Sequence, residues 1–161
     1  RSKSPPEQIY MHLNLLVEYV DGEPMTEPVH VRACDNGEYE VQFSPGFVQG
    51  IAAGDRIKVL DDFGAFQVTH RAGNLAIQVF YEHPIAQIAP AIAALADEWG
   101  GTVDGQIEQG IVITVPVAVG FSTILKSMDG IAKANPGLEW YYGNVYDPKD
   151  GETPLGWWND A

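Results

Sequence analysis

The sequence has few basic residues and almost no cysteine. It contains 9 Lys and Arg against 22 Asp and Glu, so its formal net charge at pH 7 is −13. This acidic balance disfavours binding to nucleic acid or to an anionic membrane surface. The single cysteine, Cys34, excludes an intramolecular disulfide and a zinc site built from several cysteines. We interpret Cys34 as a small strand residue and expect a reducing, cytoplasmic location.

A long hydrophobic run is also missing. The longest apolar stretch, residues 111–121, is too short to span a bilayer and is interrupted by Pro116 and Gly120. Residues 1–8 are polar with no apolar core behind them, which predicts no secretory leader. The chain is nevertheless 45% hydrophobic, enough to build a core, so we expect the acidic residues to lie on a folded surface.

The sequence lacks the spacings that bind metals. None of its histidine pairs has the i, i+2 or i, i+4 separation that places two imidazoles of one element on one ion. The sequence therefore predicts no metal ligands and no cofactor. The histidines are His12, His30, His70 and His83.

Motifs for nucleophilic or phosphate chemistry are absent as well. Ser44 stands beside Pro45, without the Gly-x-Ser-x-Gly pattern that exposes a nucleophile. The glycines between residues 46 and 54 lack the Lys-Ser/Thr of a phosphate-binding loop and precede an acidic residue. We predict no catalytic residues, although an enzyme site assembled from distant residues stays an alternative.

The first half of the chain predicts β structure. Alternating apolar residues indicate five strands, and Asp21-Gly22 and Asn36-Gly37 are typical of hairpin turns. We expect a flexible stretch at residues 1–9 and then a β-rich subdomain at residues 10–72, as a small curved sheet or partial barrel. The predicted strands cover residues 10–19, 29–34, 39–43, 56–60 and 65–71.

The second half changes its hydrophobic period and predicts a β-α-β-β-α-β order. The chain would thus be an α+β protein whose residues 73–146 form a ferredoxin-like subdomain, with two helices on one face of an antiparallel sheet. Pro90 would kink the first helix or mark its late start. A C-terminal tail at residues 147–161 would dock through Trp157 and Trp158. The predicted strands cover 74–81, 102–108, 111–117 and 138–146, the helices cover 85–99 and 120–134, and the second helix would bury Phe121, Ile124, Leu125, Met128 and Ile131.

The segment YEVQFSPGFVQGIAAGDRIKV carries a recognisable pattern: an aromatic residue, a proline, and then Gly-Ile-Ala-x-Gly-Asp running into an apolar strand. The matching positions are Phe43, Pro45, Gly50, Ile51, Ala52, Gly54 and Asp55. With the elements that follow, the chain resembles a bacterial domain-of-unknown-function family (number 4265) over about residues 10–146. The resemblance implies a fold and supplies neither an activity nor catalytic residues.

Acidic residues at turns and aromatic residues near the C-terminus are our candidates for partner binding. Exposed aromatic side chains anchor interfaces, and carboxylates favour basic partners. Two alternatives stay open, namely that the tail covers the aromatic residues and that the charge only maintains solubility. The candidates are Glu38, Glu40, Asp61, Asp62, Tyr142, Asp147, Asp150, Glu152, Trp157 and Trp158.

Small acidic bacterial proteins without catalytic residues are often immunity proteins or antitoxins. We therefore interpret the chain as a non-catalytic acidic protein-binding module that binds and neutralises a basic toxin domain. One alternative is a regulatory module that binds a small molecule through its ferredoxin-like half. The other is the enzyme with a spatially assembled site.

Overall fold

A computed structural model describes residues 8–160 of the chain. These residues form an α+β fold with two antiparallel sheets and two α-helices, which confirms the predicted fold class at that level. Residues 1–7 and 161 lie outside the described part, and so does most of the predicted flexible stretch at residues 1–9. Neither α-helix of the described part has the length and apolar character that a membrane span requires.

The first sheet is an antiparallel meander whose five strands follow one another in space as in the chain. Its strands are β1 (Tyr10–Val20), β2 (Glu23–Ala33), β3 (Tyr39–Val41), β4 (Arg56–Val59) and β5 (Phe66–His70). In the first turn, Asp21 and Gly22 have φ values of 51° and 78°, the backbone that a tight hairpin needs. All five strands were predicted from alternation and turn residues, and they differ from the prediction at their ends.

The start of β2 was predicted too late. The strand begins at Glu23 and contains Pro24 and Pro28, which argue against a strand in sequence alone. The carbonyl of His30 points away from β1 and accepts a hydrogen bond from the N–H of Gln42. Backbone groups two residues apart in a strand point to the same side, so Pro24 and Pro28 would also direct an N–H away from β1. The N–H groups that these prolines lack therefore remove no hydrogen bond to β1.

The first sheet curls until its β4–β5 turn contacts β1. The Gly64 carbonyl in that turn accepts a 2.9 Å hydrogen bond from the N–H of Leu16. Gly64 has a φ of 92°, and a Cβ at this position would overlap the backbone of residues 14–16, so only glycine fits. The core beneath the sheet contains Leu15, Val29, Val31, Val41, Val48, Ile51 and Ile57.

The second sheet has four antiparallel strands. Its elements in chain order are β6 (Asn74–Tyr81), α1 (Ala89–Glu98), β7 (Thr102–Ile107), β8 (Gly110–Pro116), α2 (Phe121–Ala134) and β9 (Leu138–Tyr142). In space the strands run β7–β8–β6–β9. Pro90 lies in the first turn of α1, where a missing N–H is harmless, and this confirms the predicted late helix start.

Helix α2 was assigned one wrong core residue. Ile124 and Met128 are fully buried, and Phe121 and Ile131 pack against the same core. Leu125, in contrast, is 50% exposed. Successive helix positions turn by about 100°, so Leu125 lies beside the buried stripe rather than in it.

Strand β9 ends at Tyr142, earlier than the predicted residue 146. The buried side chain of Asn144 replaces further pairing, since it accepts a 3.0 Å hydrogen bond from the Ala76 N–H and donates to the Asn74 carbonyl at 2.8 Å. The indole of Trp157 then donates to the Asn144 carbonyl at 2.9 Å. The predicted docking of the tail is thereby confirmed.

Candidate functional site

Residues 42–55, here called the junction loop, lie between the two sheets. From the first sheet, Glu27 of β2 accepts three backbone hydrogen bonds, from Gly46 at 3.0 Å, Phe47 at 3.0 Å and Val48 at 2.9 Å. A carboxylate that accepts hydrogen bonds from three N–H groups can hold a loop in one conformation even though the loop has no regular secondary structure. Glu27 is therefore committed to the loop and is not free to act on a ligand.

From the second sheet, the junction loop is held by Gln78 of β6. This side chain is only 1% exposed. Its Nε2 donates to the carbonyls of Pro45 at 3.0 Å and Val48 at 3.3 Å, and its Oε1 accepts from Gln49 at 2.6 Å. Each polar atom of Gln78 thus has a partner, as burial of an amide requires. The part of this sheet face around Gln78, opposite the helices, is consequently covered by the loop.

Ser44 in the junction loop is not placed as a nucleophile. It is 3% exposed. Its hydroxyl accepts the Ala53 N–H at 2.9 Å and lies 2.6 Å from the Thr114 hydroxyl, which donates to Asp104. No histidine takes part in these contacts, and the one carboxylate among them, Asp104, accepts from the Ser44 N–H at 2.7 Å and from Thr114 rather than from the serine hydroxyl. We interpret this network as a structural link between the loop and strands β7 and β8.

The loop ends at a buried ion pair. Asp55 is 1% exposed and accepts the N–H groups of Ala52 and Ala72, each at 3.0 Å. The Arg71 guanidinium lies 3.4 Å away and also donates to the Gly50 carbonyl at 2.7 Å. Burial raises the pKa of Asp55, whereas the two N–H groups and Arg71 act in the opposite direction. Burial likewise lowers the pKa of Arg71, and Asp55 counters that shift.

This ion pair and its neighbours explain the sequence pattern of the loop. Gly54 has a φ of 90°, and a Cβ there would lie 2.6 Å from the Cβ of Ala72. Both features demand glycine. Asp55 follows because its carboxylate fastens the end of the loop. Gly54 and Asp55, two of the residues that carry the family resemblance, therefore act in folding.

A cleft of about 140 Å³ opens where the junction loop meets both sheets. Its walls are mainly apolar, with Phe43 and Phe47 from the loop and Phe80 and Ile107 from the second sheet. Clefts of this kind bind apolar groups, with a few polar atoms setting orientation. No lysine or arginine of the described residues lines it.

Beside this cleft runs a row of aromatic side chains, three exposed and one, Phe80, half-buried, which we call the aromatic surface: Phe47, Phe80, Tyr141 and Tyr146. The rings of Phe47 and Phe80 lie 5.7 Å apart, and those of Phe80 and Tyr141 6.2 Å apart. Phe47, Tyr141 and Tyr146 are each more than 40% exposed. Contiguous exposed apolar side chains of this size mark interaction sites more often than single ones do.

Carboxylates accompany the aromatic surface. Glu139 lies opposite Phe80 in the β6–β9 pairing and accepts a 2.7 Å hydrogen bond from the Tyr141 hydroxyl, which raises the pKa of that tyrosine. Glu82 lines a cleft with Phe80, and Asp147 lines another with Tyr141. Among the described residues, no lysine or arginine lines these two clefts.

The aromatic candidates from the sequence lie partly inside the fold. Tyr142 faces α2, with its ring edge-on to Phe121 at 5.4 Å and to Trp140 at 5.0 Å. Its buried hydroxyl has no hydrogen-bond partner among the described residues, and burial raises its pKa to about 12. Trp157 and Trp158 are half-buried against the core of the second sheet. The exposed tyrosine of β9 is Tyr141, which precedes Tyr142 in the sequence.

Strand phase could have identified that exposed tyrosine. Leu138, Trp140 and Tyr142 share one side of β9, and Leu138 is buried. Alternation therefore turns Tyr141 to the opposite side. Tyr142 was the predicted partner-binding candidate on this strand, whereas its exposed tyrosine is Tyr141.

The acidic candidates fall into three groups on different elements. Asp147, Asp150 and Glu152 lie in the tail, next to the aromatic surface. The carboxylate of Asp150 accepts hydrogen bonds from the Thr153 hydroxyl and from the N–H groups of residues 152 and 153, which lower its pKa to about 2. Asp147 of the tail group lines a cleft with Tyr141 and Tyr146, whereas Asp61 and Asp62 precede the exposed Phe63 in the β4–β5 turn.

The other two groups lie on the first sheet. Asp61 and Asp62 are exposed in the β4–β5 turn, where Asp61 accepts the N–H groups of residues 63 and 65. Glu38 and Glu40 are half-buried before and within β3, and Glu40 pairs with Arg32 at 3.1 Å. The structure does not bring these four residues together with the tail group.

Comparison with known proteins places the chain in a family. Residues 27–137 match the model of a domain of unknown function (DUF4265). The chain belongs to the DUF4265 family. The matched span includes the whole junction loop and Phe80, whereas Tyr141 and Tyr146 of the aromatic surface lie beyond it. The suspected family is thereby confirmed.

A solved structure shares the fold of this DUF4265 protein. It is described as a novel crystal structure of a hypothetical protein from Neisseria gonorrhoeae, with 16% sequence identity and a TM-score of 0.66. The alignment covers 84% of this chain and 94% of that one. No curated protein shows significant similarity to the chain. At this identity the structural likeness bears on the fold alone.

Proposed function

We propose that this chain is a non-catalytic binding module that binds a basic protein through the aromatic surface. Its partner would be a basic bacterial toxin domain, which the chain neutralises in the cytoplasm as an immunity protein or antitoxin. The observation that carries the proposal is the row of aromatic rings flanked by carboxylates, in which no lysine or arginine of residues 8–160 lines the neighbouring clefts.

This surface suits lysine and arginine side chains. A cation over an exposed aromatic ring gains about 0.5–1 kcal/mol, and more once water is excluded. Glu139 and Glu82 add attraction to the same partner groups, and the net charge of −13 speeds their encounter. Phe47 and Tyr141 have the ring types that supply most of the binding energy at interfaces.

We further propose how the fold divides. The spatial strand order β7–β8–β6–β9, with helices after β6 and β8, supports a ferredoxin-like subdomain at residues 73–146. Residues 10–72 then form the β-rich subdomain, and residues 147–161 form the tail. In this division the aromatic surface takes residues from both subdomains, with Phe47 from the first and Phe80, Tyr141 and Tyr146 from the second.

A small-molecule module is the second candidate, because the apolar cleft of about 140 Å³ could accept a small ligand. Ile107 is 54% exposed at its wall. The substitution Ile107→Trp would fill the cleft and abolish binding of such a ligand. Under our proposal, the same substitution leaves Tyr141 and Tyr146 accessible to a protein partner.

The experiment is co-expression with any basic protein that proves to be encoded beside this chain's gene, taken as the candidate toxin, with growth protection as the readout. We expect the wild-type chain to protect, and the pair Glu82→Lys with Glu139→Lys to lose protection. The matched control is Asp97→Lys with Glu98→Lys, an exposed pair at the end of α1 that makes the same change in charge. Helix α1 packs against β7 and β8, away from β9.

The outcomes separate the candidates. Equal loss of protection in both charge-reversed pairs would mean that net charge acts without a defined surface. If the wild-type chain neither protects cells nor binds the neighbouring protein, the toxin proposal is wrong. Tight binding of a small molecule, abolished by Ile107→Trp, would then support the second candidate.

A further inference from the structure

We propose that His12 and His30 form a two-histidine site for a divalent transition-metal ion. The two residues lie directly opposite each other in the β1–β2 pairing. Their Nε2 atoms are 3.3 Å apart, and their rings lie with centroids 4.0 Å apart and planes tilted by 54°. Both side chains are exposed, so an ion can reach the pair from solvent.

The separation of the two nitrogens fits chelation. Two imidazole nitrogens that bind one zinc ion at about 2.0–2.1 Å and at a tetrahedral angle lie about 3.3–3.4 Å apart. The observed 3.3 Å matches this value. The rings are exposed, so a rotation about the terminal side-chain torsion can aim both lone pairs at one ion.

The backbone beneath the pair is already ordered. His12 and His30 belong to two 11-residue strands whose pairing continues on both sides of them, through Met11 with Val31 and Leu13 with Val29. Val31 is fully buried and Phe43 packs edge-on against the His30 ring at 5.4 Å. Once an ion has bound one of the two histidine nitrogens, its binding to the other nitrogen is intramolecular, because the strands already hold the two rings side by side. This raises the affinity of the site for the ion.

The chemistry of the donors selects the ion. Imidazole suits zinc, copper and nickel, whereas magnesium and calcium prefer oxygen ligands. Among the described residues, no group of three or more histidine, cysteine or acidic side chains clusters around a common point. The protein would thus supply two ligands, and water or a ligand atom from solvent would complete the coordination.

Sequence spacing alone could not find this pair. The two histidines are 18 residues apart, and only the register of the hairpin brings them together. The prediction that the chain has no metal ligands rested on the spacing of histidines within one strand or helix. The alternative role of the pair is a simple hydrogen bond between two neutral rings, and the test separates the two roles.

The test is titration of the untagged chain with Ni²⁺, Zn²⁺ and Cu²⁺ by calorimetry. We expect one saturable ion per chain, with Cu²⁺ binding tightest, and no binding of Mg²⁺. His12→Gln and His30→Gln should each weaken binding about tenfold or more, because either change removes the chelate. The double variant should lose little beyond either single change. His70→Gln is the matched control, since His70 is an exposed histidine of the same sheet.

Wild-type affinity in either single variant would overturn the proposal, and so would the absence of saturable binding of all three metals. The hydrogen-bond role would then stand. Both histidines are exposed, so we expect the variants to fold. Unchanged far-UV circular dichroism checks this, and nitrogen-specific NMR of the His12 and His30 rings during Zn²⁺ titration tests the site in the unmodified chain.

Discussion

The carboxylate of Asp55 and the guanidinium of Arg71 lie 3.4 Å apart at the junction of the two sheets, with Asp55 almost completely removed from solvent. The Arg71 guanidinium also lies over the ring of Trp157, 5.7 Å from its centroid. One ion pair thus connects the junction loop, the end of the first sheet and the tail.

Asp55→Ala should destabilise the fold by about 3 kcal/mol or more. The substitution leaves the buried cation of Arg71 and the N–H groups of Ala52 and Ala72 without their acceptor, which costs more than the loss of one hydrogen bond. Urea denaturation of both proteins measures the difference. Asp62→Ala, an exposed acidic change in the β4–β5 turn, should stay within about 0.5 kcal/mol of wild type. A loss below about 1 kcal/mol for Asp55→Ala would contradict this account.

Gly54→Ala should cost more than Gly73→Ala, although both glycines have a φ of 90°. The shared backbone strain is about 1–2 kcal/mol. Only at Gly54 does the new Cβ meet another atom, the Cβ of Ala72 at 2.6 Å, which adds about 1–3 kcal/mol of crowding. Thermal unfolding ranks the two variants. In a chain that carries Gly54→Ala, the further substitution Ala72→Gly should remove the additional destabilisation that crowding causes. Equal melting temperatures for Gly54→Ala and Gly73→Ala would show that this crowding does not occur.

Tyr142→Phe should stabilise the protein by about 1 kcal/mol. The substitution removes a buried hydroxyl that has no partner among the described residues and keeps the ring that packs under α2. Chemical denaturation gives the value. The control is Tyr141→Phe, which removes an exposed hydroxyl and should change stability by less than about 0.5 kcal/mol. Clear destabilisation by Tyr142→Phe would show that the hydroxyl has a partner.

Asp150 should titrate near pH 2 in the folded chain. An ordinary aspartate has a pKa of 3.8, and hydrogen bonds from Thr153 are the main cause of the lowered pKa here. A lowered folded pKa means that the carboxylate supports its turn above about pH 4 and loses that support as pH falls through about 2. Carboxyl-carbon NMR follows the titration. Thr153→Val should move the midpoint upward, whereas an unshifted midpoint would assign the effect to the backbone N–H groups.

The sequence predicted elements wherever local chemistry determines them. The Asp21-Gly22 turn and the alternation around it place the first hairpin, and Pro90 marks the start of α1. The start of β2 was missed because a strand accepts proline only where the missing N–H would face an edge with no pairing partner. That is a property of the whole sheet and not of any short window.

The candidate site was harder to predict because it depends on register and on which face is covered. The tail acids were predicted as candidates, and the structure places Asp147 with Tyr141 and Tyr146. Phe47 and Phe80 were not singled out. They are 33 positions apart in the chain, and they meet only because Gln78 draws the junction loop onto the second sheet.

The anchoring of the junction loop limits how this protein can be recombined or divided. A second sheet expressed alone would present Gln78 to water without its loop, and a first sheet alone would leave Glu27 with a loop that has lost its opposite support. Neither half is then a portable module that could be exchanged between proteins. Insertions and circular permutation should be tolerated at exposed turns such as Asp21-Gly22, and a cut within residues 42–55 should prevent folding of the whole chain.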